Sequence, residues 1–345
     1  MTNQAAPTLV PGSNPGLKRP EDSGRGAGAS DSARALSRAS SKKRRNRRRT
    51  LTFLAMGAPA LIALFVFSYL PMAGIVLAFE NYLPAQGILG SQWVGFQNFL
   101  FLFASNDAWR ITRNTVGMNG IFIVVNTSLS LGLAILLNEI KDRSKILFKA
   151  YQSAFFLPFV LSYVAIAAFT LAFLSPENGV VNEALRALGL HTVSWYSAPG
   201  WWPLILTVVE AWKRIGFWVI VYLAAMIAIN PEFYEAADID GATRWQKIRW
   251  ITLPTLLPLV TINILLSIGG IFSADFGLFF QVTQNSTPLY PTTDVIDTYV
   301  YRSLTSLGNV GMAAAAGLYQ SFVGFVLVIT ANWLVRRKNS DGALF

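Results

Sequence analysis

The sequence predicts an all-α polytopic membrane bundle of six transmembrane helices, and three observations carry that expectation. The chain has 345 residues, 53% of them hydrophobic and only 13% charged, against about 25% charged in an ordinary soluble domain. It holds six apolar runs long enough to cross a hydrocarbon core about 30 Å thick. Its net charge of +10 is concentrated at one end, with +9 in residues 1–50. Zero cysteines and a single histidine, His191, argue against thiol catalysis, Cys-ligated metals and histidine-based chemistry. Neither a catalytic residue, a metal site nor a cofactor is expected.

Residues 1–50 are rich in Gly, Ser, Ala and Pro, contain no apolar pattern, and read as a disordered basic cytoplasmic tail. The cluster Lys42 to Arg49 would suit nucleic acid in isolation. Directly before an apolar run it reads instead as a topological anchor touching anionic lipid headgroups, and no nucleic-acid partner is expected. That run is too long for a signal-peptide core and has no small-residue cleavage site, so the first span is expected to stay in the mature chain.

The remainder, 51–338, is expected to place spans near 51–79, 115–137, 148–174, 203–229, 256–280 and 312–335, followed by a short cytoplasmic C-terminus, 339–345. Lysines and arginines fix the orientation, because loops rich in them stay in the cytoplasm. Lys141, Arg143, Lys145 and Lys149, then Arg244, Lys247 and Arg249, then Arg336, Arg337 and Lys338 alternate with loops holding only Arg110, Arg113, Arg186 and Arg302. Both termini are therefore expected in the cytoplasm of a multi-pass plasma-membrane protein. Trp93, Trp195, Trp201 and Trp202 fall in or beside the two long external loops, where amphipathic rings favour the membrane boundary. Gly308, Gly311, the alanines 313–316 and Gly317 open the sixth span with side chains small enough for close helix packing. Pro59, Pro71, Pro158 and Pro258 are candidates for bends.

Between the fourth and fifth spans the cytoplasmic segment 230–254 differs from a plain connector. Asn230 is placed to cap a helix whose first turn holds Pro231 and Glu232. Phe233, Ala236 and Ala237 share one face, and Gly241 can end the helix in a conformation that a side chain resists. Thr243 with Gln246 forms a capping box for a second short helix, and Leu253-Pro254 marks the start of the fifth span. Two short amphipathic helices set at right angles would make a docking surface.

This segment resembles the signature of ABC importer membrane subunits: Glu-Ala-Ala, three residues, Gly, nine residues, Ile, one residue, Leu-Pro. Glu235-Ala236-Ala237, Gly241, Ile251 and Leu253-Pro254 match it without a change in spacing, with Asp238 inside it. The stretch 93–99 and the six-span plan look like carbohydrate uptake transporter-1 permeases, the maltose-type and multiple-sugar group. Segments 68–74, 136–140 and 294–302 look most like its polysaccharide-oligosaccharide branch. The resemblance covers roughly residues 51–338 and implies a type I ABC importer permease fold. It also implies a coupling loop that docks on a cytoplasmic ABC ATPase subunit, a second six-span permease subunit and an extracytoplasmic solute-binding protein. The chain contains no GxxxxGK[ST] phosphate loop, which fits a transport subunit whose ATP hydrolysis takes place on a separate chain.

Polar residues inside spans are the remaining candidates, since an ionisable group in hydrocarbon costs at least ~2.5 kcal/mol unless paired or facing water. Glu210 lies three and four residues before Lys213 and Arg214, so neutralisation within one helix competes with a place in the pathway. Asp275 has no nearby basic residue in sequence and is the stronger cavity candidate, while Trp212 could stack on a sugar face. Asn119, Asn126 and Asn263 offer donors and acceptors suited to hydroxyls, although such residues also stitch helices together. The leading expectation is inward movement of a carbohydrate, an oligosaccharide above all, by a binding-protein-dependent ABC importer. A phosphorylated polyol or anion, served by a cationic cavity around Lys213 and Arg214, is the alternative cargo. An ATP-independent secondary transporter or membrane enzyme would need an internal repeat or a clustered site, and neither is found.

Overall fold

The computed structural model of the protein describes residues 50–100, 106–141 and 143–338. The calls on the tail 1–49, including Lys42 to Arg49, and on 339–345 lie outside the described residues. The chain divides into two compact units, 1–72 and 73–345.

Within the first unit the described residues are helical and belong to the first candidate span, Thr50–Phe79 (α1), whose most apolar eighteen-residue window is 0% buried. A π-helical turn at Phe65–Tyr69 precedes Pro71, the residue that lacks an N–H for the ladder.

The second unit opens with a two-stranded antiparallel ribbon, Glu80–Asn81 (β1) with Gln92–Trp93 (β2). Asn98 fixes its position by donating to the carbonyls of Ala78 and Glu80 at 3.1 and 2.9 Å. Then come Asn106–Lys141 (α2), Lys145–Val160 (α3), Tyr163–Leu174 (α4), Val180–Ala187 (α5) and Trp202–Ile227 (α6). Pro231–Ile239 (α7) precedes one helical run, Arg244–Gly269 (α8), followed by Ile296–Leu307 (α9) and Val310–Lys338 (α10). Among the described residues, four helices are long and apolar enough to cross a membrane, or up to six if the bent pairs α3–α4 and α6–α7 each count as one.

Three expectations about these elements change. The third span is broken: α3 and α4 meet at 102°. Pro158 lies in the last turn of α3, Leu161 donates only to the Pro158 carbonyl, and Ser162 caps the new helix at the Ala165 N–H, 3.3 Å away. The fifth apolar run is also interrupted, since its helix ends at Gly269 and helical structure resumes as a π-helix at Gly277–Val282. The helix that starts at Thr243 does not stop before the fifth span but passes through a π-turn, Ile248–Thr252, straight into it. No break occurs at Pro258.

Side chains pack along α6, which meets α2 and α3. At Gly216 a methyl group would overlap the backbone carbonyl of Phe155, so only hydrogen permits this helix crossing. The small-residue reading of the sixth span holds in part. Gly311 faces Asn98 and the Glu80 carbonyl, and Ala315 and Ala316 are fully buried, whereas nothing lies near Gly317. The tryptophans divide. Trp93 and Trp201 are exposed, but Trp202 is fully buried and donates to the Trp195 carbonyl, and Trp195 in turn donates to Asn182. These two rings serve as loop core. Burial pushes the neighbouring Tyr196 hydroxyl up to about 12, so it stays protonated and donates to the Val282 carbonyl. In the segment 294–302, buried Asp294 accepts from Arg110, Arg302 and Thr298, tying α9 to α2.

Candidate functional site

Two places gather the candidate residues. The first is the segment 230–254, whose local chemistry follows the sequence closely. The Asn230 side chain accepts from the Glu232 N–H at 3.1 Å, and Pro231 fills the first turn, where a missing N–H costs nothing. At the other end Gly241 takes φ +74°. That backbone region lets the Ala242 N–H reach back to the Ala237 carbonyl at 2.8 Å and the Gly241 N–H to that of Asp238. The capping box is formed: the Thr243 N–H donates to Gln246 Oε1 at 2.7 Å, and the Gln246 N–H to Thr243 Oγ1 at 3.4 Å.

α7 holds an inner and an outer side. Tyr234 and Asp238 face the rest of the chain, through a 2.9 Å hydrogen bond to Thr252 and an ion pair with Lys247. Arg244 reaches Glu139 of α2 at 3.4 Å. Ala236 is exposed beside Phe233 and Ile239, which are 62% and 87% exposed, and Ala237 is half-buried, whereas Glu235, also exposed, lines a groove with Tyr234, Asp238, Glu139 and Lys247. α7 thus has an exposed apolar face, Phe233, Ala236 and Ile239, opposite its tethered one. Ile251 and Leu253 are half-buried, and Pro254 is exposed where α8 leaves its π-turn.

The second place is a cavity of about 150 Å³ among α2, α6, α8 and the break after Gly269. Five of the seven pathway candidates line it: Asn119, Asn126, Glu210, Asn263 and Asp275. Asp275 is not the unpaired carboxylate that its sequence surroundings imply. Arg214 donates to Asp275 Oδ2 at 3.0 Å and to Glu210 Oε1 at 2.8 Å, and Tyr163 adds a 2.9 Å bond to Glu210. Asp275 also accepts the Leu278 N–H at 3.3 Å, capping the π-helix. Asn119 gives its amide hydrogens to the carbonyls of Ile271 and Ser273, which the break leaves without helical partners. Asn263 donates to the Tyr222 hydroxyl at 2.7 Å. The Asn126 oxygen is buried and has no partner.

The other two candidates belong elsewhere. Lys213 points to α3, donating to the carbonyls of Phe159 and Leu161, and its ammonium lies 4.9 Å from the Tyr163 ring centre. Trp212 lines a separate apolar groove with Leu157, Phe173 and Leu204. The aromatic rings at the polar cavity are those of Phe122 and, on α6, Trp218. Trp218 stands about 600° of helical rotation beyond Trp212, roughly a third of a turn away in projection. Sequence reasoning passed over Trp218, Thr127, Ser267 and Ser273, all of which line this cavity. Only knowledge of which faces of α2, α6 and α8 turn inward, and of the break after α8, selects them.

Residues 130–340 match the family described as binding-protein-dependent transport system inner membrane component. The polygalacturonan/rhamnogalacturonan transport system permease protein YteP of Bacillus subtilis (strain 168) is 30% identical over 285 residues, covering 82% of this chain and 87% of that protein. A crystal structure of a bacterial ABC transporter involved in the import of the acidic polysaccharide alginate superposes with a TM-score of 0.78 at 36% identity, covering 86% of this chain and 99% of that one. The alginate transporter in complex with an alginate pentasaccharide-bound periplasmic protein gives a TM-score of 0.77 at 36% identity, covering 85% and 96%.

Proposed function

This chain belongs to the inner-membrane components of binding-protein-dependent transport systems, and from that membership we propose that it is the permease subunit that carries an oligosaccharide inward through an ABC importer. The relatives supply the cargo class, since they include a permease of a polygalacturonan/rhamnogalacturonan system and an alginate importer. The observation that carries the mechanism is α7. It is a capped helix whose inner face is tied to α8 by Tyr234–Thr252 and Asp238–Lys247 and whose outer face is open.

On this reading the exposed Glu235, Ala236 and Phe233 dock on a separate ATPase subunit, and the inner contacts pass its movement to the fifth span. Asp238, Gly241, Ile251, Leu253 and Pro254 shape that connection. A second permease supplies the other half of the pathway, and an extracytoplasmic binding protein delivers the sugar. Both termini lie in the cytoplasm. The cavity around Glu210, Arg214 and Asp275 is this chain's share of the pathway. Lys213 is turned to backbone carbonyls and Arg214 is paired with two carboxylates, so these two residues do not form the open cationic cavity of the anionic-cargo alternative, while the alginate importer carries an acidic polysaccharide.

The test is co-expression with the second permease, the ATPase and the binding protein, followed by reconstitution. Sugar-loaded binding protein is expected to stimulate ATP hydrolysis and drive uptake into vesicles. Uptake by this chain alone without ATP would overturn the proposal.

A further inference from the structure

A separate groove of about 440 Å³ opens where α2 ends and α8 begins. Its lining changes character along the helices. Arg143, Arg244 and Trp245 stand at the helix ends with Glu139, while Leu136, Ile140 and Ile248 supply aliphatic surface. Ile248 lies four residues into α8 from Arg244, and Leu136 five residues before the end of α2. At ~1.5 Å per residue these two side chains start ~6 Å or more nearer the span than the backbone of Arg143 and Arg244. Leu136, Arg143, Arg244 and Trp245 are all exposed, so a ligand can reach each of them.

The charge is positive with every neighbour included. Among the described residues the groove holds two guanidiniums and one carboxylate, Glu139, which Arg244 reaches at 3.4 Å. The adjoining groove lined by α7 adds Lys141 and Lys247 against Glu235 and Asp238, so the excess of one cation stands. Aromatic rings follow the same pattern. Besides Trp245, Trp250 is exposed near the start of α8 and Trp333 near the end of α10, with Arg249 and Arg337 at 5.6 and 3.8 Å from their ring centres. Tryptophans beside cations are what the cytoplasmic boundary of a membrane with anionic headgroups favours.

A phosphate diester fits both halves of this groove. It carries one negative charge, guanidiniums bind phosphate oxygens through paired N–H donors, and the chains esterified to it cover aliphatic surface. We propose that the groove binds an anionic phospholipid, with its phosphate between Arg143 and Arg244 and an acyl chain on Leu136 and Ile248. An ammonium-bearing headgroup would restore the charge that the phosphate neutralises, so a zwitterionic lipid is disfavoured. Held in this way, the lipid ties the turn after α2 to the first residue of α8, the helix that α7 grips at Lys247 and Thr252. The proposal rests on the cytoplasmic placement of this end in the importer reading above and on no property of the cargo.

The test is native mass spectrometry of the complete assembly, both permeases with the ATPase, in mild detergent with added phosphatidylglycerol or phosphatidylethanolamine of the same acyl chains. Under activation that strips loosely bound lipid, phosphatidylglycerol is expected to be retained at least fivefold over phosphatidylethanolamine. Arg143→Gln with Arg244→Gln should lower that retention at least threefold, and Glu139→Gln, which removes the groove's own carboxylate, should raise it. Arg186→Gln, in an external loop, should leave it unchanged, and an excess of glycerol 3-phosphate should not displace the lipid, because a headgroup alone leaves the aliphatic surface bare. Lipid drawn by the cations among residues 42–49 is common to every variant and drops out of the comparison. The same spectra show whether each variant has assembled, and if the double variant has not, the sign of the Glu139→Gln effect decides. Equal retention of the two lipids, wild-type retention by the assembled double variant, a fall on Glu139→Gln, an equal loss on Arg186→Gln, or displacement by glycerol 3-phosphate would each overturn the proposal. So would a wild-type assembly that retains no lipid, since the second permease or the ATPase then covers the groove. ATP hydrolysis stimulated by sugar-loaded binding protein, measured on the same preparation, separates the two levels. Stimulation without retained lipid removes this site alone, whereas lack of stimulation counts against the importer reading whatever lipid is retained.

Discussion

The ammonium of Lys213 stands 2.6 Å from the carbonyl oxygen of Leu161 and 3.1 Å from that of Phe159, so a cation of α6 closes the end that α3 presents at its 102° corner with α4. Helix C-termini leave carbonyls without intrahelical partners and carry partial negative charge, and one ammonium answers both.

Lys213→Met is accordingly expected to destabilise the fold, because it leaves the carbonyls of Phe159 and Leu161 without their charged donor. Lys213→Arg should recover much of that loss. Thermal unfolding of the detergent-purified complex decides the matter, and a Met variant as stable as wild type would contradict the role given to this residue.

Gly216→Ala should also destabilise. In an exposed helix interior this change gains up to ~1 kcal/mol, but here the added methyl meets the Phe155 carbonyl. The sign of the change in unfolding midpoint is thus the measurement, and a stabilised variant would place α3 and α6 further apart than described.

The Glu210–Arg214–Asp275 trio predicts strong non-additivity. Glu210 is 5% exposed and Arg214→Gln strips it of this cation, but the Arg214 side chain is 46% exposed, so the loss falls below the roughly 3–5 kcal/mol of a fully buried pair broken from one side. Combining Arg214→Gln with Glu210→Gln should restore a good part of the stability. Simple addition of the two single effects in a double-mutant cycle would show that the residues do not act together.

Coupling is expected to fail at Gly241→Pro, because proline is held near φ −65° and the position sits at +74°. Glu235→Lys, a charge reversal at an exposed position at the edge of the groove beside Asp238, should fail through lost docking instead. Both variants should insert in the membrane, lose uptake and recover less ATPase on co-purification. Normal uptake by either would remove α7 from the coupling role.

For the tail, the seven cations among residues 42–49 are expected to hold the N-terminus inside at ~1 kcal/mol each near an anionic surface. Their replacement by Gln should scramble the first span, as scored by an N-terminal reporter. Deleting residues 1–38 should leave insertion and transport intact, and a deletion that inserts yet no longer transports would give the tail a role beyond anchoring.

What could be read in advance follows the range of each interaction. Asn230, Gly241 and Thr243–Gln246 act on backbone groups within five residues, so their caps are legible from spacing alone. The family signature lies on the same residues. The corner between α3 and α4 is different, because it is closed by Lys213, more than fifty positions away, and Pro158 by itself marks only a place where a bend is tolerated. Asp275 looked solitary because its cation lies 61 residues upstream. Trp212 and Trp218 are equally plausible in sequence, and only the packing of α6 against α2 turns one toward the polar cavity and the other toward the apolar groove.

The unbroken run Arg244–Gly269 gives the proposed docking surface a mechanical advantage. At about 1.5 Å per residue this rod is ~39 Å long, and α7 grips it near one tip, at Lys247 and Thr252. A tilt of ~10° about that tip would sweep the far end by ~7 Å for the same rise per residue. Just beyond the far end, the carbonyls of Ile271 and Ser273 are held by Asn119, and Asp275 is held by Arg214. Small strokes at the ATPase would thus be geared up before they reach the sugar's side of the membrane. The sites of greatest displacement would be hydrogen bonds and ion pairs that re-form quickly rather than packed hydrocarbon.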